Sequence, residues 1–296
     1  MTILGLPSEL WFEAVMFGIL LGCFYAAVSI GLSVSFGLLD VPNVAHPAVM
    51  IVGSYCTWAL WDRGLDPIVA GVLLMPLFFV VGVLLYRFYH ASFEKRGTEA
   101  GVRGLAFFFG VAFIIEVGLI LIFGVDQRSV QAEYIGSSLE LGEYRFPYRM
   151  LVAFGVALVL TFALTLYLSK TFTGRAIKAV AQDEAALRLM GANPVRIKQW
   201  AFGIATGVSA LAGAMLIIVG PVEPAMDRVY IGRTFCVVVL AGLGSMTGTL
   251  AAGLILGIAE SIVLMHPDLG ASWAPAVAFS LLLIVLSVRP QGLFGR

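Results

Sequence analysis

The stretch SFGLLDVPNVAHP, residues Ser35–Pro47, interrupts an apolar run that begins near Leu10 and resumes at Ala48. Pro42 and Pro47 each lack a backbone N–H and clash with the preceding helical turn, so neither fits the interior of a helix. The residue before each proline is pushed toward extended backbone. Within hydrocarbon, a broken backbone is tolerated only where protein or a water-filled cavity satisfies the freed polar groups. We therefore expect a helix break, carrying polar side chains, inside a membrane segment.

The composition is that of a membrane protein. Hydrophobic residues make up 60% of the 296-residue chain and charged residues 12%, and the mean hydropathy is +0.99. Soluble domains carry about 25% charged residues. At about 20 residues for each segment, the chain has room for roughly eight membrane segments and no separate soluble domain. The sequence therefore predicts an all-α polytopic membrane protein with a single transmembrane domain over residues 1–296.

The apolar segments fall into two length classes. Six are long enough to cross a bilayer and predict full transmembrane helices: Leu10–Ile30, Pro67–Tyr86, Leu105–Phe123, Met150–Leu168, Trp200–Val219 and Ala271–Val288. Four are shorter and form two pairs, each flanking a break: Gly31–Leu39 with Ala48–Trp61, and Phe235–Leu243 with Thr249–Leu264. The second break is AGLGSMTG, Ala241–Gly248. Short, interrupted segments in corresponding halves of a chain indicate a midplane transport site, and these two breaks predict a pseudo-repeat.

Lysine and arginine are concentrated in two loops, which sets the expected orientation. The loops Arg87–Gly104 and Lys170–Gln199 contain all four lysines of the chain. Cytoplasmic loops of membrane proteins carry the excess of Lys and Arg. We therefore expect both loops, and the C-terminus with them, in the cytoplasm. The loop 124–149 is then external, and turn residues around Gly136 and Gly142 predict a small hairpin there.

Counting crossings predicts how the two broken pairs turn. If Trp200–Val219 runs outward and Ala271–Val288 ends inside, the pair Phe235–Leu264 begins and ends outside. That pair is then a re-entrant hairpin that turns near mid-membrane. If Leu10–Ile30 crosses once, Gly31–Trp61 is a second re-entrant hairpin and the N-terminus is cytoplasmic.

Polar residues at membrane depth are the candidates for a translocation path, because ionisable groups inside a bilayer are costly and mark functional sites. The candidates are Asn43, His46, Glu116, Ser245, Thr247 and Glu260. The two glutamates alternatively hold structural hydrogen bonds or ion pairs. The four residues at the breaks alternatively satisfy the freed backbone, which such turns require. The sequence leaves both roles open at each of these positions.

The loop Lys170–Gln199 predicts a helix outside the membrane core. Good helix formers without proline fill Gly174–Met190, and Gly191, Asn193 and Pro194 follow as a stop. Apolar residues gather on one side of this helix. It is therefore either a docking helix for a cytoplasmic partner or an interfacial helix on the lipid headgroups.

Four separated stretches carry a resemblance to one family. They are GLSVSFGLLDVPNVAHPAVMIVGSY (Gly31–Tyr55), GRAIKAVAQDEAALRLMGANPVRIK (Gly174–Lys198), FCVVVLAGLGSMTGTLAAGLILGIAES (Phe235–Ser261) and RPQGLFG (Arg289–Gly295). On these residues the chain resembles the LivH-type family, the permease subunits of ABC importers for branched-chain amino acids. The resemblance covers nearly the whole chain.

The resemblance implies partners and a mechanism. It implies a second related permease subunit, two ATP-binding cassette ATPases and an external solute-binding protein, assembled in a bacterial cytoplasmic (inner) membrane. This chain would be a non-catalytic subunit without a cofactor, and ATP and Mg would bind to the ATPases. The sequence has no Gly-Lys pair, and hence no Gly-x-x-x-x-Gly-Lys-[Ser/Thr] phosphate loop. Membrane lipid is a further expected contact, and a nucleic acid is not.

The resemblance also assigns a role to the cytoplasmic helix, which would seat in a groove of an ATPase. The residues implied in this coupling are Arg175, Lys178, Ala185, Ala186, Arg188, Met190 and Gly191. Importer permeases place three residues between Glu-Ala-Ala and the following Gly. Here Glu184-Ala185-Ala186 is followed by four residues before Gly191, which leaves the role of Glu184 open.

Other transport functions stay open at this point. A related permease would carry urea, a short amide or an aromatic acid instead of a branched-chain amino acid. A passive channel for a small neutral solute would also use paired breaks, and a secondary transporter would use Glu116 and Glu260 as coupling carboxylates. His46, His90 and His266 lack the spacing of metal ligands, so we expect no metal site.

Overall fold

Six long apolar helices form the body of the protein. The computed structural model describes residues 2–3, 6–96, 100–132, 134–141, 144–266 and 271–295. Within that part of the chain, the helices long and apolar enough to cross a membrane are Leu10–Leu38, Pro67–Ser92, Gly101–Phe123, Tyr148–Lys170, Pro194–Val219 and Met246–Met265. The predicted all-α polytopic class with about six spans is confirmed, whereas the pseudo-repeat stays a prediction.

Eleven α-helices and four short strands make up the regular structure of the described residues. The helices are α1 Ser8–Leu32, α2 His46–Trp61, α3 Pro67–Ser92, α4 Ala100–Phe123, α5 Tyr148–Lys170, α6 Phe172–Gln182, α7 Glu184–Leu189, α8 Pro194–Val219, α9 Asp227–Ala241, α10 Met246–Met265 and α11 Ala274–Val288. The strands are β1 Thr2–Ile3, β2 Leu6–Pro7, β3 Ser138–Leu141 and β4 Tyr144–Pro147. β1 pairs with β2, and β3 with β4, both antiparallel. The β3–β4 hairpin lies in the loop 124–149, where the sequence predicts one, and Gly142 is outside the described residues.

α1 continues without interruption through a π-helical turn, Ser33–Leu38. The prediction that one segment ends at Ile30 and another spans Gly31–Leu39 is therefore wrong. No proline lies between the start of α1 and Leu39, so the backbone chemistry does not stop the helix earlier. Asp40, with φ +55°, lies in the break that follows. The first broken pair is thus α1 with α2.

α1 runs toward the face of the bundle that carries the loop 170–199. In its first half, Leu20 borders the same small gap as Val219 at the end of α8. At its far end, Leu38 lines a cavity with Lys178 of α6. α1 therefore starts on the face opposite this loop. This differs from the start that the crossing count gave on the condition of a re-entrant Gly31–Trp61, because α1 with its π-helical turn crosses the whole bundle.

Small residues let the central helices pack backbone to backbone. α1 and α10 are antiparallel, and a Cβ added at Gly22 would lie 2.7 Å from the Gly253 carbonyl oxygen. α8 is the most buried of the six spans, and it packs against α3, where Gly82 faces Thr206. In lipid, apolar surface alone does not drive helices together, so such close van der Waals packing supplies the association. These contacts lie within one chain.

The second broken pair consists of α9 and α10, joined by the turn Gly242–Ser245. The pair begins and ends on the face away from the loop 170–199, as expected. Its turn is not at mid-membrane, because Leu243 lines a cavity with Lys178 and Gln182 of α6. With 20 residues, α10 is about 30 Å long and crosses fully, whereas α11 has only 15 residues. By length, α10 is the sixth span, which the sequence analysis did not expect. The predicted span Ala271–Val288 corresponds to the shorter α11, which returns to the face of the C-terminal tail, where the Leu293 N–H donates to the Leu240 carbonyl.

The loop Lys170–Gln199 forms two helices, α6 and α7. Asp183 separates them with extended backbone, and its carboxylate accepts a hydrogen bond from the Ala186 N–H at 2.9 Å. Aspartate favours this N-cap position because its side chain satisfies a free N–H of the first turn. The predicted single helix over Gly174–Met190 is therefore wrong. The predicted stop is confirmed, since Gly191 has φ +80° after the end of α7.

Candidate functional site

The two helix breaks meet at one place in the bundle. Gly37, in the π-helical turn, packs against the backbone of Gly244 in the turn between α9 and α10. Gly244 has φ +83°, which glycine adopts without strain. Thr249 Oγ1 also donates to Ser33 Oγ at 3.1 Å. The two broken pairs are therefore joined both through backbone and through side chains.

A cavity of about 460 Å³ opens beside this contact. The first break contributes Leu38 to its lining, and the second contributes Ser245 and Thr247. Lys178 of α6 and Phe294 of the C-terminal tail also line the cavity. The structure thus brings two of the predicted path residues, Ser245 and Thr247, together with one predicted coupling residue, Lys178.

The first break satisfies much of its own backbone. The Val41 N–H donates to the Ser35 carbonyl at 3.1 Å, and the Asn43 N–H donates to the Val41 carbonyl at 2.7 Å. His46 is buried, and its Nε2 lies 3.0 Å from the Val28 carbonyl oxygen of α1. Asn43 is buried too, but its Oδ1 has no hydrogen-bond partner among the described residues. His46 therefore ties the break to α1, whereas Asn43 carries an unused acceptor.

At the second break, the two predicted path residues differ in environment. Ser245 is the N-cap of α10, and its Oγ accepts a hydrogen bond from the Gly248 N–H at 3.1 Å. Thr247 is exposed and faces the cavity. Ser245 therefore satisfies the backbone of the turn, while the side chain of Thr247 is available to the cavity.

Glu116 lies apart from the breaks. Its Oε1 accepts a hydrogen bond from Arg228 Nη2 at 2.6 Å, in an ion pair that joins α4 to the start of α9. The Glu116 side chain is 8% exposed and that of Arg228 is 68% exposed. The structure therefore does not bring Glu116 together with the other path candidates.

Glu260 is fully buried between α1 and α9. The Tyr25 hydroxyl donates to its Oε2 at 2.5 Å, and Arg233 Nε donates to its Oε1 at 3.1 Å. The guanidinium of Arg233 also lies 5.6 Å from the ring centroid of Tyr25 and 5.8 Å from that of Tyr230, within cation–π distance. A charge at membrane depth needs such a matched partner. We call this cluster the Arg233–Glu260 pair.

The coupling residues implied by the family resemblance lie on α6, on α7 and just after it. Lys178 faces the cavity and Ala186 is half-buried, whereas the remaining five are exposed: Arg175, Ala185, Arg188, Met190 and Gly191. At the end of α7, Leu189 and Met190 are 90% and 74% exposed. Exposed apolar side chains that adjoin one another are typical of an interaction site.

Glu184, whose role the sequence leaves open, belongs to an ion-pair network on the same face. Lys198 Nζ lies 2.8 Å from Glu184 Oε2 and 3.0 Å from Glu94 Oε1. His90 Nδ1 lies 2.6 Å from Glu94 Oε2, and the Tyr86 hydroxyl donates to that oxygen at 2.8 Å. Burial alone would raise the pKa of both carboxyls, but their hydrogen bonds and the Lys198 charge lower each pKa below its ordinary value. The network therefore links α7 to α8 and to the end of α3.

Two members of these clusters, Arg233 and Lys198, do not stand out in the sequence. The predicted apolar segment starts at Phe235, which leaves Arg233 outside it, whereas α9 begins at Asp227. The available signal was an arginine two positions before an apolar run. No signal in the sequence pointed to Lys198, because its partner Glu94 is 104 positions away.

Broken apolar helices that meet at a cavity, with an exposed segment on the same face, define a multi-pass membrane protein of the transporter class. Residues 14–286 match the family described as "Branched-chain amino acid transport system / permease component". The chain therefore belongs to the branched-chain amino acid transport permease family, and the resemblance stated from the sequence is confirmed.

Individual relatives cover nearly the whole chain. The chain is 30% identical to the high-affinity branched-chain amino acid transport system permease protein LivH of Escherichia coli (strain K12), over 97% of this chain and 96% of the relative. It is 27% identical to the permease protein BraD of Pseudomonas aeruginosa, over the same shares of the two chains. It is 24% identical to the probable permease protein LivM of Methanocaldococcus jannaschii, over 91% of this chain and 90% of the relative.

Proposed function

We propose that this chain is the permease subunit of an ABC importer that carries branched-chain amino acids across the cytoplasmic (inner) membrane. The names of the LivH and BraD relatives support this solute class. ATP would be bound and hydrolysed by separate ATPase subunits, and this chain would be a non-catalytic membrane subunit. The face that carries the loop 170–199 and the C-terminal tail would be cytoplasmic.

The complete transporter would contain four further components. A second permease subunit is supported by the similarity of this chain to relatives of two names, LivH and LivM. Two ATPases would dock on the cytoplasmic face, and a solute-binding protein would dock on the outer face.

One observation carries the mechanism: Lys178 of α6 lines the same cavity as Leu38 and Leu243, which come from the two different breaks. ATP binding would close the ATPases and move α6 and α7. Because α6 adjoins both turns, its movement would separate or join them. Contact of the breaks would close the path toward the cytoplasm, and their separation would open it.

The two rival classes differ from an importer in measurable ways. A secondary transporter would use Glu116 and Glu260 as proton carriers, but each of these carboxylates is already bound to an arginine. A passive channel would conduct solute without any ATPase. A permease for urea, a short amide or an aromatic acid would share the mechanism and differ only in solute.

Uptake into lipid vesicles distinguishes these functions. The chain is reconstituted with its partner permease, the ATPases and the binding protein, and uptake of L-leucine is measured with and without ATP. We expect uptake that requires ATP and persists with a protonophore. Downhill flux through the purified chain alone would identify a channel. Loss of uptake with a protonophore, at constant ATP, would identify a secondary transporter.

Docking of the ATPase is tested at Met190. Its side chain is 74% exposed, so Met190→Glu changes the surface and leaves internal packing intact. We expect the ATPase to co-purify poorly with this variant and its hydrolysis to lose stimulation by the loaded binding protein. Val125→Glu is the matched control for co-purification with the ATPase, because Val125 is 69% exposed in the loop 124–149 on the opposite face. Unchanged co-purification and stimulation in Met190→Glu would contradict docking at this segment.

A further inference from the structure

Arg233 has more hydrogen-bonding capacity than the protein uses. A guanidinium offers five N–H donors in a planar fork. Its Nε donates to Glu260, and within the described part of the chain neither Nη group has a hydrogen-bond partner. The side chain is 18% exposed, and neither Nη is a buried atom without a partner. The exposed part of Arg233 therefore includes its Nη groups.

The fork is held in a fixed orientation. Glu260 binds the guanidinium at Nε, and the rings of Tyr25 and Tyr230 flank it at 5.6 and 5.8 Å. The Tyr25 hydroxyl in turn binds the other oxygen of Glu260. A group that is ordered before its ligand arrives loses less conformational entropy on binding.

The position of the pair suits the outer part of a path. Glu260 lies 14 positions after Met246, where α10 starts, and five before Met265, where it ends. The start of α10 adjoins the cavity beside α6, so the Arg233–Glu260 pair is in the opposite half of the bundle. A solute delivered from that side would reach Arg233 before it reached the helix breaks.

We propose that Arg233 receives the carboxylate of the transported amino acid through its two Nη groups, an inference that rests on the function proposed above. Arginine binds carboxylates with two parallel hydrogen bonds, which fixes the orientation of the ligand. Glu260 balances the charge of Arg233 before the solute binds, so no unpaired charge is left at membrane depth. A zwitterion adds no net charge to this arrangement when it binds.

A purely structural role for the Arg233–Glu260 pair leads to a different expectation. In that case the pair only ties α9 to α10 and to α1. The double variant Arg233→Gln with Glu260→Gln replaces both charged groups by neutral amides, so no unpaired charge is left and each position keeps a polar side chain. If the pair is purely structural, the double variant should therefore recover both the uptake and the melting temperature that Arg233→Gln alone loses.

The experiment uses the complete transporter in vesicles, with ATP-driven uptake of L-leucine and the melting temperature of the complex as readouts. Arg233→Gln alone should melt at a lower temperature, because Glu260 loses its arginine. The double variant should melt like the unmodified complex, yet its uptake should stay about tenfold or more lower, as expected for one lost charge-assisted contact. Arg233→Lys keeps the charge without the fork, so its uptake should also fall while the melting temperature holds.

Uptake by the double variant at the level of the unmodified complex would overturn the proposal. If the double variant does not fold, Arg233→Lys decides: full uptake overturns the proposal, and reduced uptake with an unchanged melting temperature supports it. Failure of the unmodified transporter to take up leucine would instead overturn the proposed function, and this inference with it.

Discussion

Gly37 of the first helix break lies in backbone contact with Gly244 of the second, so two parts of the chain more than 200 positions apart form one junction. A side chain at Gly37 would act as a wedge, since its Cβ would lie 2.9 Å from Gly244 Cα. Overpacking of this kind costs about 1–3 kcal/mol. We expect Gly37→Ala to lower the melting temperature and to reduce ATP-driven uptake.

The control for this wedge is Gly155→Ala on α5. A Cβ at Gly155 meets no atom of the described residues within 4 Å, so this variant changes a helical glycine without any clash. We expect its uptake and melting temperature to match those of the unmodified protein. Equal behaviour of the two variants would show that the junction tolerates a wedge.

Lys198 is the centre of the ion-pair network on the face of α6 and α7. Lys198→Met would leave Glu94 and Glu184 without their shared cation, and an unsatisfied, largely buried polar group costs about 1–3 kcal/mol. We expect a lower melting temperature and weaker stimulation of the ATPase by solute. Arg145→Gln is the comparison, because Arg145 is 77% exposed and its pair with Glu140 contributes about 0–1 kcal/mol. Equal losses in the two variants would argue against a central role for Lys198.

The same network predicts how stability depends on pH. The Glu94 and Glu184 carboxyls have pKa values below the ordinary 4.5: burial opposes this shift, and their hydrogen bonds and the Lys198 charge produce it. In the folded state they bind fewer protons than in the unfolded state, so they stabilise the protein above the unfolded pKa. We expect a flat melting temperature from pH 7 to about 5 and a decrease as pH falls through the lowered pKa values.

The variant Glu94→Gln with Glu184→Gln provides the check on this pH dependence. It removes both titrating groups, so it should melt lower at pH 7 and lose less stability on acidification. An acid decrease as steep as that of the unmodified protein would assign the effect to other groups.

The C-terminal tail hydrogen-bonds to the end of α9, next to the second break. The Leu293 N–H donates to the Leu240 carbonyl at 2.9 Å, and the Phe294 N–H donates to the Ala241 carbonyl at 3.1 Å. These carbonyls belong to the last turn of α9, where no helical donor remains. Truncation after Pro290 should therefore cost about 1–3 kcal/mol and impair uptake. Phe294→Ala keeps both N–H donors, so it should reduce stability and uptake less than the truncation does. Equal reductions in the two variants would mean that the Phe294 ring, and not the two hydrogen bonds, stabilises the break.

Features that depend on neighbouring residues could be predicted from the sequence. The lengths of the apolar runs predicted five of the six spans. The prolines of Ser35–Pro47 predicted the first break, and Gly191 predicted the stop after α7. Each of these depends on local backbone chemistry or on the length of an apolar run. The same reasoning explains why the helix class and the number of spans agree with the structure.

Features that depend on distant contacts could not be predicted in this way. The helix that starts with α1 ends near Asp40 rather than at Ile30, because its π-helical turn packs against Gly244 of the distant second break. Asp183 divides the predicted helix over Gly174–Met190 because its carboxylate caps α7, and this hydrogen bond competes with continuation of the helix. The arginine that balances Glu260 comes from another helix, and no pattern along one helix reveals such a pair.

The most direct test of the central claim is a reversible cross-link between the two helix breaks. Leu38→Cys and Leu243→Cys, which face the same cavity, would be joined by a short, reducible thiol reagent in a chain whose Cys23, Cys56 and Cys236 are replaced by alanine. The measurement is ATP-driven uptake of L-leucine by the reconstituted transporter. If separation of the breaks opens the path, the cross-link stops uptake and reduction restores it. Full uptake with the cross-link in place would contradict the account.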